Sequence, residues 1–191
     1  FFMKIKSLLT VILLFLCSTM IFSQAQKSLQ PHQGKIQSIV ESANNTFYTA
    51  GDDGFVVKWL PDGSGEHFQI SDLEIKLIAV SPNGTDIAVY ETDGFSIHRV
   101  SEWNWKTLTR KNAKRFTDSI VSLEYSAKGT YLMAGTSSVD GMLFLDPKNK
   151  LTPLSVVKDF TGTVTVAKTG KTEKTVLMYS PQGTLTYYNL A

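Results

Sequence analysis

Past residue 26, no segment keeps apolar side chains at the i, i+3, i+4 spacing for the length of a helix. Apolar residues come instead in short runs broken by turn residues, and the runs recur in one order. A first strand-like run reads KIQSIV (35–40), KLIAV (76–80), IVSLEY (120–125) and TVTVAK (163–168). A second reads TFYTA (46–50), DIAVY (86–90), YLMAG (131–135) and TVLMY (175–179). Between them lies a glycine turn in SPNGT (Gly84), SAKGT (Gly129) and KTGKT (Gly170). The first unit has ESANNT there, where Asn44 or Asn45 takes the positive φ that glycine takes elsewhere. A polar turn and a third strand follow, as in TAGDDGFVVKWL (49–60). A fourth strand is placed in EHFQIS (66–71), WKTLT (105–109) and TPLSVV (152–157).

Aligned on the glycine before the third strand, the units set Gly54, Gly94, Gly141 and Gly183 at spacings of 40, 47 and 42 residues. Short strands with regular turn signals predict an all-β protein. A period of four strands in 40–47 residues predicts a β-propeller of four-stranded antiparallel blades, over residues 29–71, 72–115, 116–159 and 160–191. The recurring strand positions predict a core of Ile39, Phe47, Val57, Ile78, Val89, Ile97, Leu123, Leu132 and Phe144.

On this period, these glycine turns and this strand order, residues 29–191 resemble the WD40 repeat family. The signature dipeptides are loosely kept. His32-Gln33-Gly34 stands where a Gly-His would lie, and the Trp-Asp position reads Lys58-Trp59, Arg99-Val100, Leu145-Asp146 and Tyr188-Asn189. The resemblance implies an interaction platform rather than an enzyme. Proteins of this kind usually close with about seven blades, so four units read as part of a longer ring. The alternative is a closed four-blade ring in which residues 27–30 donate the last outer strand.

The N-terminus changes the charge picture. Lys4 and Lys6 precede an apolar run from Leu8 to Phe22, and small residues Ser23 and Ala25 stand before Gln26. That is the layout of a secretory signal peptide over 1–25, too short in its apolar part for the roughly 20 residues of a membrane span. Removing it takes away two lysines, leaving 17 basic against 17 acidic residues, and removes Cys17, the one cysteine. The exported chain is then neutral, which gives no electrostatic case for nucleic acid. It has no thiol chemistry or cysteine metal site.

The turns carry the candidate binding groups. Asp52, Asp53, Asp93 and Asp140 recur in the turns between second and third strands and are expected on one rim. Asp-Gly is also a favoured turn pair in its own right. The run RKNAKR places Arg110, Lys111, Lys114 and Arg115 in an expected loop between blades 2 and 3, on the same face. Together these eight residues make a candidate surface for a protein or peptide partner. Trp103 and Trp105 are expected on one side of a strand, packed against a neighbouring blade. His32, His67 and His98 have no metal-ligand spacing, TGKTEKT lacks the first glycine of a phosphate loop, and DGSGE lacks a calcium-loop ligand ladder. No catalytic residue, metal or cofactor is therefore expected.

The expected function is that of an exported scaffold for protein or peptide partners, without nucleic acid and without a membrane span after cleavage. A hydrolase or lyase whose catalytic groups sit in further blades is the alternative. Mass spectrometry of the native protein is expected to find Gln26, or a residue beside it, at the N-terminus. An intact chain starting at Met3 in the cytoplasm would contradict export.

Overall fold

A computed structural model describes residues 31–42, 45–138, 141–157 and 163–190. The signal-like segment 1–25 and Asp140 lie outside the described residues. Blade 1 consists of β1 (Ile36–Ser42), β2 (Thr46–Gly51), β3 (Phe55–Trp59) and β4 (Gly65–Gln69). Blade 2 consists of β5 (Glu74–Val80), β6 (Asp86–Thr92), β7 (His98–Asn104) and β8 (Thr109–Phe116). Blade 3 consists of β9 (Ile120–Tyr125), β10 (Leu132–Thr136), β11 (Met142–Asp146) and β12 (Thr152–Val157). Blade 4 shows three strands, β13 (Val166–Thr169), β14 (Thr175–Tyr179) and β15 (Leu185–Asn189). Each blade is an antiparallel meander in chain order. The innermost strands pack in series, β1 on β5, β5 on β9 and β9 on β13. The all-β propeller expected from the repeat is the observed fold.

The core lies between blades. Tyr48, Ala50 and Val56 of blade 1 meet Ile78, Ile87 and Val89 of blade 2. Tyr90 and Val100 of blade 2 meet Leu123, Tyr125 and Leu132 of blade 3. Met133, Met142 and Phe144 of blade 3 meet Ala167, Val176 and Met178 of blade 4. Trp103 and Trp105 both serve the first interface, although only Trp103 lies on β7 and Trp105 lies in the turn that follows it: Trp105 stands edge-on to Tyr48 at 5.3 Å, and Trp103 edge-on to Phe68 at 6.1 Å.

Three expected core residues are corrected. Ile39 is 68% exposed and Phe47 is 43% exposed. Side chains alternate across a strand, so Tyr48 and Ala50 point at blade 2 while Phe47, and Ile39 paired with Thr49, point away. No described sheet covers that face. Ile97 is half-buried because it precedes β7, in the turn that Asp93 organises. The other six, Val57, Ile78, Val89, Leu123, Leu132 and Phe144, are buried. Blade 4 shows the same asymmetry, with Val166, Leu177, Tyr179, Leu185 and Tyr187 exposed on the face away from blade 3.

The basic run is also corrected. It is no loop but strand β8, the outer edge of blade 2, while the expected strand WKTLT forms the hairpin turn before it. An outer strand has no sheet beyond it and little apolar patterning to betray it. Charged residues along such an edge hinder pairing with another chain. Pro153 in β12 suits an outer edge for a related reason, having no N–H to offer.

The turns follow a shared plan with local substitutions. Gly84 and Gly129 adopt positive φ in the first hairpins of blades 2 and 3, and Asn45 does so in blade 1. In blade 4 the positive-φ position falls to Glu173 rather than Gly170. Gly54, at φ +73, is needed twice over, since a Cβ there would drive into the Ser71 carbonyl as well as strain the backbone.

Because the core is interfacial, truncations should sort by the face they occupy. Phe144→Ala is expected to lower unfolding free energy by about 3–5 kcal/mol and Phe47→Ala by less than about 1 kcal/mol, measured by denaturant titration of the two variants. Equal losses would contradict the assigned faces.

Candidate functional site

Turns β2–β3 and β6–β7 lie on one face of the blades, called here the upper face, and they carry Asp52, Asp53 and Asp93. All three aspartates are engaged. Asp53 lies beside the His32 ring, with Nδ1 3.1 Å from its carboxylate, and accepts the Gln33 and Phe55 amides at 2.8 and 3.1 Å. His32 Nε2 lies 2.8 Å from Thr49 Oγ1, which also accepts Trp59 Nε1–H at 2.9 Å. The Nδ1–H of the ring donates to Asp53, and Nε2 shares the second hydrogen bond with the Thr49 hydroxyl. Burial alone would raise the Asp53 pKa, but the His32 and backbone hydrogen bonds outweigh it and hold the carboxyl below its usual range. His32 and Trp59, which the sequence sets 27 positions apart, are thus ends of one chain of bonds that ties the entering segment to β2 and β3.

Asp52 accepts Gln37 Nε2 at 2.6 Å and Lys76 Nζ at 3.1 Å, a link from blade 1 to blade 2. Gln37 and Lys76 occupy equivalent β-bulges in β1 and β5, which re-aim their side chains. Asp93 accepts the Ile97, Phe95 and Ser96 amides, each at 2.9 Å, and these bonds hold its carboxyl well below the usual range. Among the described residues no three His, Cys, Asp or Glu side chains are grouped to hold a metal ion.

The basic residues do not join this face as a group. A bulge opposite Glu102 and Trp103 turns both Lys111 and Asn112 toward blade 3. Lys114 follows Asn112 on that side by alternation, while Arg110 lies over the Trp103 ring at 6.0 Å. Arg115 pairs across strands with Arg99. Arg99 itself is bound to Glu91, a buried carboxylate that also accepts Ser71 Oγ–H at 2.7 Å and the Ser101 hydroxyl.

The opposite, lower face holds a recess that the sequence did not disclose. A cleft of about 570 Å³ opens between blades 2 and 3. Its blade 2 wall is Asn83, Asp86, Glu102 and Lys111, and its blade 3 wall is Tyr125, Lys128 and Lys148. Glu102 is buried at the floor. It accepts Tyr125 O–H at 2.8 Å and Asn112 Nδ2–H at 2.6 Å. Asn112 spends its second amide proton on the Pro147 carbonyl at 2.8 Å, so the same side chain clasps both blades. Lys111 Nζ lies 2.8 Å from Asp86 and 3.8 Å from Glu102. Burial lowers the Lys111 pKa, but the two carboxylates more than reverse it. Burial and the Glu102 charge push the Tyr125 phenol well above its usual value, so it stays a donor.

The blade 3 wall is braced from blade 4. Glu173 Oε1 accepts the Lys128 amide at 2.7 Å, and Ser126 and Thr130 bond the same carboxylate. Burial opposes ionisation of Glu173, yet these hydrogen bonds hold its carboxyl below its ordinary 4.5. A glutamate tolerates positive φ here because its side chain is over-determined by three residues of blade 3.

Comparison with known proteins agrees with the fold. A family model described as an N-terminal beta-propeller domain matches residues 18–191. A Treponema pallidum (strain Nichols) protein, described only as an uncharacterized protein, is 40% identical over 155 residues, which are 81% of this chain and 25% of that protein. The chain therefore spans about a quarter of the length of that relative. Among solved structures, a chain in a crystal structure of the mitotic checkpoint complex superposes with a TM-score of 0.69 at 15% identity, over 86% of this chain and 52% of that one. Identity at that level speaks for the fold alone.

The Glu173 clasp has a definite pH signature. A carboxyl held below its unfolded pKa stabilises the fold above that value, and the contribution disappears as pH falls through the folded pKa. Glu173→Gln is expected to cost about 1–3 kcal/mol at pH 7. The wild-type advantage should shrink to nothing as the pH drops below 4.5, as read from paired denaturation curves. A pH-independent difference would assign the effect to the backbone conformation instead.

Proposed function

With the match covering residues 18–191, the chain belongs to the N-terminal β-propeller domain family, and we propose that it is an exported scaffold that presents a rigid surface to a protein or peptide partner. The observation that carries this reading is the division of labour among its charges. Asp52, Asp53, Asp93, His32, Glu91 and Arg99 are all committed to bonds within or between blades. His98 is likewise held, with Nδ1 2.7 Å from the Tyr90 hydroxyl. Side chains locked in this way make a stiff frame rather than a set of acids and bases poised for proton transfer. What remains outward is the cationic edge of β8, where Arg110 and Arg115 are exposed and Lys114 is half-buried beside them, and the polar cleft next to it. Rigid sheets that display loop and edge groups are the usual substrate of recognition. The similar propeller among solved structures comes from a multi-protein complex, which accords with a partner-binding role.

Of the eight residues read from the sequence as a partner surface, this places the emphasis on Arg110, Lys114 and Arg115, with Lys111 at the cleft. The export reading rests on residues 1–25, and among the described residues no helix is long and apolar enough to cross a membrane.

The test is affinity capture from an envelope extract of the native host, comparing the whole protein with the Arg110→Ala/Lys114→Ala/Arg115→Ala variant. A discrete partner set is expected, depleted by the variant most strongly at low salt, because exposed charges act on association rate and are screened. Capture of nothing beyond the blank matrix would reject the scaffold. Full retention by the variant would move the partner surface off β8.

A further inference from the structure

The cleft between blades 2 and 3 is electrically polarised, and that polarity defines a ligand. On the blade 2 wall, the carboxylates of Asp86 and Glu102 share one ammonium, that of Lys111. One negative charge on this wall has no ion-paired cation of its own among the described residues. Glu102 carries it in a recess where its side chain is 1% exposed, so water compensates it poorly. Neutral donors do part of the work. Tyr125 and Asn112 each give Glu102 one hydrogen bond, and Asn104 Nδ2–H reaches Asp86 at 3.3 Å. A carboxylate pair has about eight acceptor sites, so capacity remains toward the cleft.

The blade 3 wall has the opposite sign. Lys128, in the β9–β10 turn, and Lys148, in the β11–β12 turn, line the same cleft and carry two positive charges with no acidic side chain between them in its lining. Neither forms an ion pair with Asp86 or Glu102, although these are the acids across the gap. A purely cationic ligand would be repelled at the mouth by Lys128 and Lys148. A purely anionic one would face the uncompensated carboxylates at the floor. A ligand with both charges, a few bonds apart, satisfies both walls at once. The volume of about 570 Å³ suits two side chains rather than a folded domain. Both walls are also held in place, blade 3 by the Glu173 clasp and the two blades together by Asn112 and Tyr125.

We propose that this cleft receives a zwitterionic peptide segment, with a cationic side chain directed to Asp86 and Glu102 and a carboxylate set against Lys128 and Lys148. The proposal rests on the scaffold reading and gives the partner's chemistry at one site. Glu102 has two roles in it, clasping the blades and receiving the cation, while Asp86 and the two lysines act on the ligand.

The probe is the capped peptide acetyl-Lys-Gly-Glu-amide, titrated into the full protein by calorimetry and heteronuclear NMR at low salt. Acetyl-Lys-Gly-Gln-amide, acetyl-Gln-Gly-Glu-amide and acetyl-Gln-Gly-Gln-amide serve as controls. The doubly charged peptide is expected to bind at least about fivefold tighter than either singly charged one, with shifts at the Asn112 side-chain amide and at Lys128 and Gly129. Asp86→Asn should weaken it about tenfold, and Lys128→Ala/Lys148→Ala about fivefold, the smaller figure reflecting the exposure of the lysines. The lysine variant alters exposed side chains only, so it remains informative if Asp86→Asn disturbs the fold. Equal binding of all four peptides, shifts away from the cleft, or full affinity in the lysine variant would overturn the proposal. If the peptide fails while host capture persists, the scaffold stands and the cleft assignment falls; loss of capture rejects the scaffold itself.

Discussion

A four-stranded sheet has two faces and no interior, so a blade is stabilised only by pressing its faces against neighbours. The three apolar clusters of this protein obey that constraint, each drawing its residues from two adjacent sheets. The innermost strands supply much of the contact because they run closest to one another. Apolar contact alone sets no angle or height between two flat sheets. Polar clasps add that information. Ser38 Oγ receives the Ile78 amide at 3.3 Å between blades 1 and 2, and Ser122 Oγ donates to the Val164 carbonyl at 2.7 Å between blades 3 and 4.

Glu91 and Glu102 are the more demanding clasps. Each places a carboxylate in a region with almost no water, which is costly unless every lone pair finds a partner. Glu91 is met by Arg99, Ser71 and Ser101, with Trp103 Nε1–H in turn bonding Ser101 Oγ at 2.8 Å. Glu102 is met by neutral donors and only a distant lysine. The difference matters for function. The Glu91 network is electrically closed and reads as structure. The Glu102 network is left with excess negative charge beside a cavity, which is why the lower face rather than the upper one carries the ligand proposal.

The upper face shows how a recurrent motif can be accounted for by its turn. Asp at the β2–β3 and β6–β7 turns recurs because a carboxylate there can receive several amides that the turn leaves unpaired. Asp93 does this within its own turn, Asp53 does it with His32, and Asp52 reaches the next blade. Recurrence along the chain therefore marked a backbone requirement, and the unshared, non-recurrent groups marked the recess.

The sequence alone was sufficient for the repeat, the strand order, the all-β class and most first, second and third strands, because alternation and turn chemistry are local properties of a few residues. It also put Trp103 and Trp105 against a neighbouring blade. It misplaced β8, whose residues 109–116 carry charge on both faces because an outer strand buries little of either face. It misjudged Phe47 and Ile39, because period-two alternation names two faces without saying which one meets a neighbour. The Glu102 cleft was illegible for a further reason. Asp86, Glu102, Lys111, Tyr125, Lys128 and Lys148 come from six strands and turns of two blades, and no spacing links them. Only the stacking of one blade on the next, and the bulge that turns Lys111 and Asn112 inward, brings opposite charges to the walls of one recess.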